Sequence, residues 1–305
     1  MNILTVFTGG TIGSAKQDGV LSPDGKTAYQ LLEHYQTTYG AAAFETAAPY
    51  TILSENLCAD NLKSLRACLE QALRQSYDGI IVTHGTDTLA YTAAYLDFVF
   101  GAKDIPIVLV SANYPLSDSR SNGLDNFAAA VDFIRSRAAN GVFVAYKNTG
   151  DSAATIHRGV CVLPHLPYSD SVFSIFNEYF GTVSDGSFVK NHACQQPEPE
   201  DLSSCELGGK VLYIRPYVGI SYPEITDGVK AILLEGWHSG TLPTASASLR
   251  RFCEQAAHMG VPVYLTGDQP GFNYAGKLAY EQLHIISLPP MSPIAAYMKL
   301  WLSLP

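Results

Sequence analysis

The chain has 305 residues, of which 47% are hydrophobic and 15% are charged, so it can bury a sizeable core and is not a disordered chain. Its 19 Lys and Arg against 28 Asp and Glu give a net charge of −9, which argues against a nucleic-acid-binding protein. At roughly 150 residues per domain, this length favours two domains, although one large α/β domain also fits it.

The start of the chain and its thiols predict a cytoplasmic protein. The N-terminal residues lack the basic region of a signal peptide, and no stretch approaches the ~18 apolar residues of a membrane helix. The cysteines form no C-x-x-C pair and show no zinc-ligand spacing with histidine; they are Cys58, Cys68, Cys161, Cys194, Cys205 and Cys253. We expect them to be reduced, structural thiols.

Short apolar runs alternate with amphipathic segments in the first half of the chain. The apolar runs predict strands at residues 3–7, 50–53, 79–83, 106–110 and 142–145. Apolar side chains at helical spacing predict helices at residues 27–39, 60–73, 89–100 and 122–138. Asp60 is predicted to cap the second helix. The alternation predicts an α/β fold with a doubly wound parallel sheet, in which ligands bind beyond the carboxyl ends of the strands.

A polar segment separates this region from a second, smaller one. Residues 195–200 contain two prolines and two glutamates, a composition typical of an extended linker. Beyond it the pattern predicts strands at 210–214, 231–234 and 262–265, and helices within 242–258 and at 293–302. We predict an N-terminal domain at 1–194, a linker at 195–205 and a smaller C-terminal α/β domain at 206–305.

A glycine turn follows the first predicted strand. Residues 8–13 read Thr-Gly-Gly-Thr-Ile-Gly. Two glycines let the backbone turn sharply and approach a ligand closely, and Thr11 then presents a hydroxyl at the edge of the sheet. A plain structural turn explains the glycines equally well, and the G-x-G-x-x-G pattern of a dinucleotide-binding loop is absent.

A second polar turn follows the strand predicted at 79–83. Residues 83–88 read Thr-His-Gly-Thr-Asp-Thr. Asp87 has two possible roles, as a helix cap or as a carboxylate that binds a substrate ammonium group or helps activate a hydroxyl. His84 has no second metal ligand nearby in sequence, which favours a structural histidine over a metal ligand.

Together the two turns resemble those of the bacterial L-asparaginase family, whose members carry Thr-Gly-Gly-Thr-Ile after the first strand and His-Gly-Thr-Asp-Thr after a later one. The resemblance extends to residues 111–115, 121–123, 236–241 and 291–296, and therefore covers most of the chain. The short length and the missing leader are similar to the cytoplasmic, type I-like subgroup.

The resemblance implies an amidohydrolase that converts L-asparagine to L-aspartate and ammonia, with no cofactor and no metal. It places Thr11 as the nucleophile, with Thr86 and Asp87 as the other catalytic residues. A threonine hydroxyl is a weak nucleophile that needs a base or relay, and the oxyanion needs backbone donors. The implied substrate-binding residues are Gly10, Ser54, Glu55, Gly85 and Ala112. The implied partners are a small amino-acid substrate and further copies of the chain, as a homodimer or homotetramer.

Three positions depart from the family pattern. Glu55 stands where relatives carry an uncharged polar residue, and it either binds the ammonium group or shifts the substrate preference. Val20 replaces a loop tyrosine, for which Tyr29 is a potential substitute. Pro164 aligns with a relay lysine and has no ionisable group. The candidate replacements for that lysine are, first, Lys147, because it follows the strand at 142–145, and second, the titratable His165, ahead of His157 and Arg158.

These departures leave other functions open. One alternative is a weakly active or non-catalytic amino-acid-binding protein on the same scaffold. Another is an amidohydrolase retuned to a different amide, such as a glutamine side chain. A tRNA-dependent amidotransferase subunit uses a similar scaffold, but the missing basic patch and missing extra N-terminal domain argue against that function.

Overall fold

Two units make up the chain in the computed structural model, Met1–Asp201 and Leu202–Pro305. The structure describes residues 1–17, 20–23, 25–195, 197–269, 271 and 273–304, and within 15–28 it describes the backbone alone. The boundary between the units lies inside the segment 195–205 that the sequence predicts as a linker. Gln196 of that segment lies outside the described residues.

The N-terminal unit alternates strands and helices as far as its seventh strand. Its strands are β1 Asn2–Phe7, β2 Ser14–Gln17, β3 Val20–Pro23, β4 Ala43–Ala47, β5 Gly79–Thr83, β6 Pro106–Val110, β7 Gly141–Tyr146, β8 Ala154–Arg158, β9 Gly181–Ser184 and β10 Ser187–Lys190. Its helices are α1 Gly25–Tyr39, α2 Ala59–Ala72, α3 Leu89–Phe100 and α4 Gly123–Ser136. The predicted α/β class is confirmed.

An eight-stranded sheet with the order β10-β9-β8-β7-β6-β5-β1-β4 forms the centre of this unit. The strands from β4 to β7 pair in parallel, whereas β8, β9 and β10 pair antiparallel. The sheet is therefore parallel-rich rather than wholly parallel, and the sequence pattern did not predict β8–β10. The chain runs outward from β1 in both directions, and the carboxyl ends of β1 and β5 adjoin where the strand order reverses, which is where open α/β sheets bind ligands.

The strand predicted at 50–53 is wrong. β1 pairs with β5 on one side and with β4 on the other, and Ile52 makes only an isolated bridge to Gly9. The Ile52 amide donates to the Thr8 carbonyl, and the Ile52 carbonyl accepts from the Gly10 amide. These hydrogen bonds tie the apolar segment to the glycine turn instead of extending it along the sheet edge.

The predicted cap at Asp60 is also wrong, because α2 begins one residue earlier. Cys58 is the N-cap, and its backbone amide donates to Asn61 Oδ1 over 3.0 Å. Asp60 lies in the first turn, where its carboxylate interacts favourably with the positive end of the helix dipole.

Burial explains why the central strands lack alternating polarity. Every residue of β5, β6 and β7 is buried, because helices cover both faces of the sheet. All residues of α3 except Tyr91 are buried, which matches the almost wholly apolar sequence of this helix. The core therefore fixes the strands, and their carboxyl ends hold the polar turns in place.

The C-terminal unit is a smaller α/β fold with a four-stranded parallel sheet. Its elements are β11 Lys210–Ile214, β12 Val229–Glu235, α5 Ala247–His258, β13 Val263–Thr266, β14 Ile285–Ser287 and α6 Pro293–Ser303. The short strand β14 was not predicted. Ser246 and Ser292 cap α5 and α6 through their hydroxyl groups.

Membrane spans and metal clusters are both absent from the part of the chain that the structure describes. No helix among these residues is long and apolar enough to cross a membrane. No group of three or more of their His, Cys, Asp or Glu side chains is arranged to hold a metal ion. All six cysteines are free thiols.

Candidate active site

The turns after β1 and β5 meet through their glycines. A Cβ atom built on Gly10 would lie 2.4 Å from the backbone of Gly85, and one built on Gly9 would lie 2.2 Å from the Ile52 carbonyl oxygen. Both residues of the first turn also have positive φ, 101° at Gly9 and 77° at Gly10. The glycines are thus required by a backbone-to-backbone approach that brings the two polar turns into contact.

Gly10 uses its own polar groups within the turn. Its amide donates to the Ile52 carbonyl over 3.1 Å, and its carbonyl accepts from the Gly13 amide and from Ser14 Oγ. The amide and the carbonyl group of Gly10 are therefore both engaged in hydrogen bonds within the protein.

Thr11 begins a short 3-10 helix, Thr11–Gly13, directly after this contact. Ile12 is buried in the core beside Ala112 and Phe127, whereas Thr11 stays partly exposed. The burial of Ile12 fixes the backbone of the turn, and Thr11 lies between β1 and this buried residue.

Ser54 connects the second turn to the segment that follows β4. A Cβ atom on Gly85 would lie 2.4 Å from the Ser54 side chain. Ser54 Oγ donates to Asp87 Oδ2 over 3.2 Å, and the Ser54 carbonyl accepts from Thr88 Oγ1 over 2.9 Å. Gly10, Gly85, Ser54 and Asp87 therefore form a continuous chain of contacts.

Asp87 does not cap α3. The N-cap of that helix is Thr88, and it makes no side-chain capping bond. Asp87 is exposed and is bonded to Ser54, and Thr86 is partly exposed beside it. Of the two roles that the sequence left open for Asp87, the geometry favours a carboxylate available to a ligand.

His84 holds the second turn in place through two buried hydrogen bonds. Its Nδ1 atom donates to the Gly85 carbonyl over 2.9 Å, so its Nε2 atom accepts from Thr92 Oγ1 over 2.8 Å. Burial lowers the pKa of His84 to about 4, because the charged form is poorly solvated there. A neutral, fully bonded imidazole is what the predicted structural role requires.

The remaining implied binding residues have different environments. Glu55 is exposed in the short helix Ser54–Asn56, next to the serine that contacts Asp87. Ala112 belongs to the apolar core and is fully buried, backbone included, so no part of it is exposed to a ligand in this structure. The Val20 side chain lies outside the described residues, and only its backbone in β3 is described.

Three of the four candidate replacements for the lysine bond to partners outside the two turns. Lys147 Nζ bonds Asp125 Oδ2 over 2.8 Å, at a cavity of about 210 Å³ that Tyr39 and Asp132 also line. Arg158 makes a buried two-pronged ion pair with Asp97. His157 is buried between Thr155 and Ser174, and burial lowers its pKa to about 4. The expectation that placed Lys147 first is therefore not supported by its contacts.

His165, the second candidate, is close enough to Asp87 and Asp170 for their charges to act against the lowering of its pKa that burial causes. Its ring meets the ring of Tyr146 edge to face, with centroids 5.5 Å apart. Its Nε2 atom is buried and has no hydrogen-bond partner.

A polar cluster beside His165 was not predicted from the sequence. Burial raises the pKa of Tyr146 to about 12, and its hydroxyl group, like Oδ1 of the nearby Asn122, is buried without a hydrogen-bond partner. Asn113 Nδ2 donates to the Asp170 carbonyl over 2.9 Å. Asn113 follows β6 and Tyr146 ends β7. Because ligands bind beyond the carboxyl ends of strands, their positions after these strands could have identified both residues as candidates.

The sequence of this chain is similar to those of known proteins. Residues 2–186 match the family model described as Asparaginase, N-terminal. The L-asparaginase of Thermococcus kodakarensis is 28% identical over 281 residues, which cover 87% of this chain and 80% of that protein. A glutamyl-tRNA(Gln) amidotransferase subunit of Methanosphaera stadtmanae is 28% identical over 316 residues, which cover 98% of this chain and 71% of that protein.

Solved structures of L-asparaginases are similar to this chain in fold. The thermostable L-asparaginase from Thermococcus kodakarensis has a TM-score of 0.79 at 26% identity, with 99% of this chain and 92% of that chain covered. A probable cytoplasmic L-asparaginase from Campylobacter jejuni, at 22% identity, shares the fold with a TM-score of 0.75 and coverage of 99% and 94%. Because the family model matches more than half of the chain, the chain belongs to the asparaginase family of amidohydrolases, and the resemblance drawn from the two turns is confirmed.

Proposed function

We propose that this asparaginase-family chain hydrolyses the side-chain amide of a small amino acid, L-asparagine first, with Thr11 as the nucleophile. One observation carries the proposal: the turn that leads into Thr11 packs backbone against backbone on the turn that carries Thr86 and Asp87. A hydroxyl for attack, a second hydroxyl and an exposed carboxylate are thus gathered at the switch point of the sheet.

The reaction divides into two steps. The Thr11 hydroxyl oxygen attacks the amide carbon, the carbon–nitrogen bond breaks, and the hydroxyl proton leaves with the nitrogen as ammonia. Water then attacks the acyl-enzyme ester, which releases L-aspartate and restores the Thr11 hydroxyl. Thr86 handles protons in both steps, and the exposed Asp87, held by Ser54, receives the ammonium group of the substrate.

Residues around this pair supply the substrate's other contacts. Ser54 orients Asp87, and Glu55 adds a second carboxylate beside it. A negative charge at Glu55 favours substrates that carry an ammonium group and disfavours substrates that place a carboxylate there. The substrate class that we propose is therefore an α-amino acid with a short amide side chain. The proposed reaction uses no cofactor.

An ammonia-release assay with purified protein tests the proposal. We expect turnover with L-asparagine in the wild type and none in Thr11→Ala, whose free energy of unfolding should change by no more than about 1 kcal/mol. Thr37→Ala is the matched control, because Thr37 bonds only the Glu33 carbonyl on the exposed face of α1. Turnover in Thr11→Ala equal to that of the wild type would refute the nucleophile.

A second candidate function is amidotransfer, in which the nitrogen released from an amide donor is passed to another acceptor. The similarity to the glutamyl-tRNA(Gln) amidotransferase subunit over 98% of this chain favours it. Comparing L-asparagine with L-glutamine in the same assay separates the two functions, since free hydrolysis of asparagine supports the first. Binding of L-aspartate without any turnover would instead support an amino-acid-binding protein.

A further inference from the structure

A cavity of about 490 Å³ lies within the C-terminal unit, whereas the two turns of the candidate active site belong to the N-terminal unit. One wall is a face of α5, which contributes Arg250, Glu254 and His258, each about one helical turn after the last. The other wall is the turn before β14, which contributes Gln282 and His284. The proposed reaction uses none of these residues. We refer to this space as the α5 cavity.

The α5 cavity carries one positive and one negative side chain that do not pair with each other. Arg250 Nε donates to the Thr244 carbonyl over 3.1 Å, which holds the guanidinium in place. Its two terminal nitrogen atoms have no acceptor among the described residues, and Glu254 makes neither a hydrogen bond nor an ion pair with them. A ligand that carries both a carboxylate and an ammonium group can therefore form charge-assisted hydrogen bonds with both side chains.

Three further residues give the cavity an apolar lining beside these charges. They are Ala257, which is exposed, and Cys253 and Leu283, which are buried. Burial raises the pKa of Cys253 to about 11, so its thiol is uncharged at neutral pH and acts as a small hydrophobic group. A ligand side chain that covers this lining removes apolar surface from water, which stabilises the complex.

We propose that the α5 cavity binds a small α-amino acid with an apolar side chain, at a site distinct from the candidate active site. Arg250 receives the α-carboxylate, and Glu254 receives the α-ammonium group. The Cβ atoms of residues four apart on a helix are only about 5–6 Å apart, so adjacent charged groups on one small molecule can reach both side chains. Asparagine and aspartate are disfavoured here, because their polar side chains would lie against Cys253, Ala257 and Leu283 without a hydrogen-bond partner.

Calorimetric titration of the purified full chain tests the ligand class, with L-leucine as the probe. L-leucinamide lacks the carboxylate, 4-methylpentanoate lacks the ammonium group, and glycine lacks the side chain. Each should bind about tenfold more weakly than L-leucine, because each lacks one of the three proposed contacts. Absence of L-leucine binding up to its solubility limit overturns the proposal, as does equal binding of L-leucine and L-leucinamide.

Two variants then match each ligand group to its side chain. Arg250→Gln should weaken L-leucine about tenfold without weakening L-leucinamide, which has no carboxylate. Glu254→Gln should weaken L-leucine to a similar extent without weakening 4-methylpentanoate, which has no ammonium group. Arg251→Gln and Glu281→Gln are matched controls, because both residues are exposed and lie outside the cavity lining. Unchanged L-leucine affinity in both Arg250→Gln and Glu254→Gln overturns the proposal.

An active-site variant separates this site from the proposed function. Asp87→Asn should bind L-leucine as tightly as the wild type, because Asp87 and the α5 cavity belong to different units. Loss of L-leucine binding in Asp87→Asn would assign the amino acid to the candidate active site and overturn the second site. Wild-type protein that binds L-leucine as expected but releases no ammonia refutes the proposed hydrolysis alone.

Discussion

Gly10→Ala tests whether the two turns meet as the structure places them. The added methyl group would lie 2.4 Å from both the Gly85 Cα and amide nitrogen atoms, more than 1 Å inside the roughly 3.5–4.0 Å of an ordinary contact. Neither atom belongs to a flexible side chain, so the backbone of one turn must move by about 1 Å. Gly10 also has φ 77° and ψ 177°, a conformation open almost only to glycine.

The two costs have separate magnitudes. The backbone conformation contributes about 1–3 kcal/mol of unfolding free energy, and the overlap contributes about 1–3 kcal/mol more. A shift of about 1 Å between Thr11 and the second turn should reduce kcat/KM for L-asparagine by about 10²-fold. We therefore expect Gly10→Ala to be less stable by about 2–6 kcal/mol and to lose most of its activity.

Two glycine controls isolate the cause. Gly40 has φ 95° with nothing within 4 Å of its Cβ position, so Gly40→Ala measures the cost of the backbone conformation alone. Gly13 lacks both constraints, and Gly13→Ala should be nearly neutral. Denaturant unfolding and the ammonia-release assay measure the series. Gly10→Ala with the stability of Gly40→Ala and full activity would refute the contact between the turns.

Two further predictions concern buried ionisable groups. Asp97→Ala should lower the free energy of unfolding by about 3–5 kcal/mol, because it leaves the Arg158 guanidinium buried and unpaired. Asp118→Ala, which removes an ion pair at the surface, should lower it by no more than about 1 kcal/mol, and denaturant unfolding measures both variants. His84 and His157 each have a folded pKa of about 4, below the ordinary value of 6.5, so the unfolded chain binds more protons between those pH values and stability should fall as pH falls from 6.5 to 4. The expected slope is up to about 1.4 kcal/mol per pH unit for each histidine, and a His157→Gln variant with the full wild-type slope would contradict this assignment.

The carboxyl-end turns were predictable because their signals are local. A buried strand followed by Gly-Gly-Thr, and another followed by Gly-Thr-Asp, place Thr11 and Asp87 at one edge of a parallel sheet from sequence alone. The roles of the two glycines were not predictable, because a glycine turn is compatible with any neighbour. Only the 2.4 Å approach of Gly10 to the Gly85 backbone shows why no larger residue fits.

The replacement for the lysine depended on contacts between distant segments. Lys147 follows a central strand, which made it the natural candidate, but the carboxylate that binds it lies on α4 at Asp125. His165 lies in a loop without regular structure, so no periodicity points to its place. The strands β8–β10 were missed because they lack the apolar runs that mark β5 to β7. β8 is largely buried but contains Thr155, His157 and Arg158, and β9 and β10 are partly exposed.

The position of β1 also governs the order in which the site is built. This strand comes first in the chain, but it lies between β4 and β5, and its Asn2 amide bonds an aspartate 76 residues further on. The entropic cost of closing so long a loop must be met before the strand gains its partners, which slows folding. During synthesis β1 therefore emerges unpaired, and the Thr11 turn takes its final shape only after Thr83 and the residues beyond it have left the ribosome.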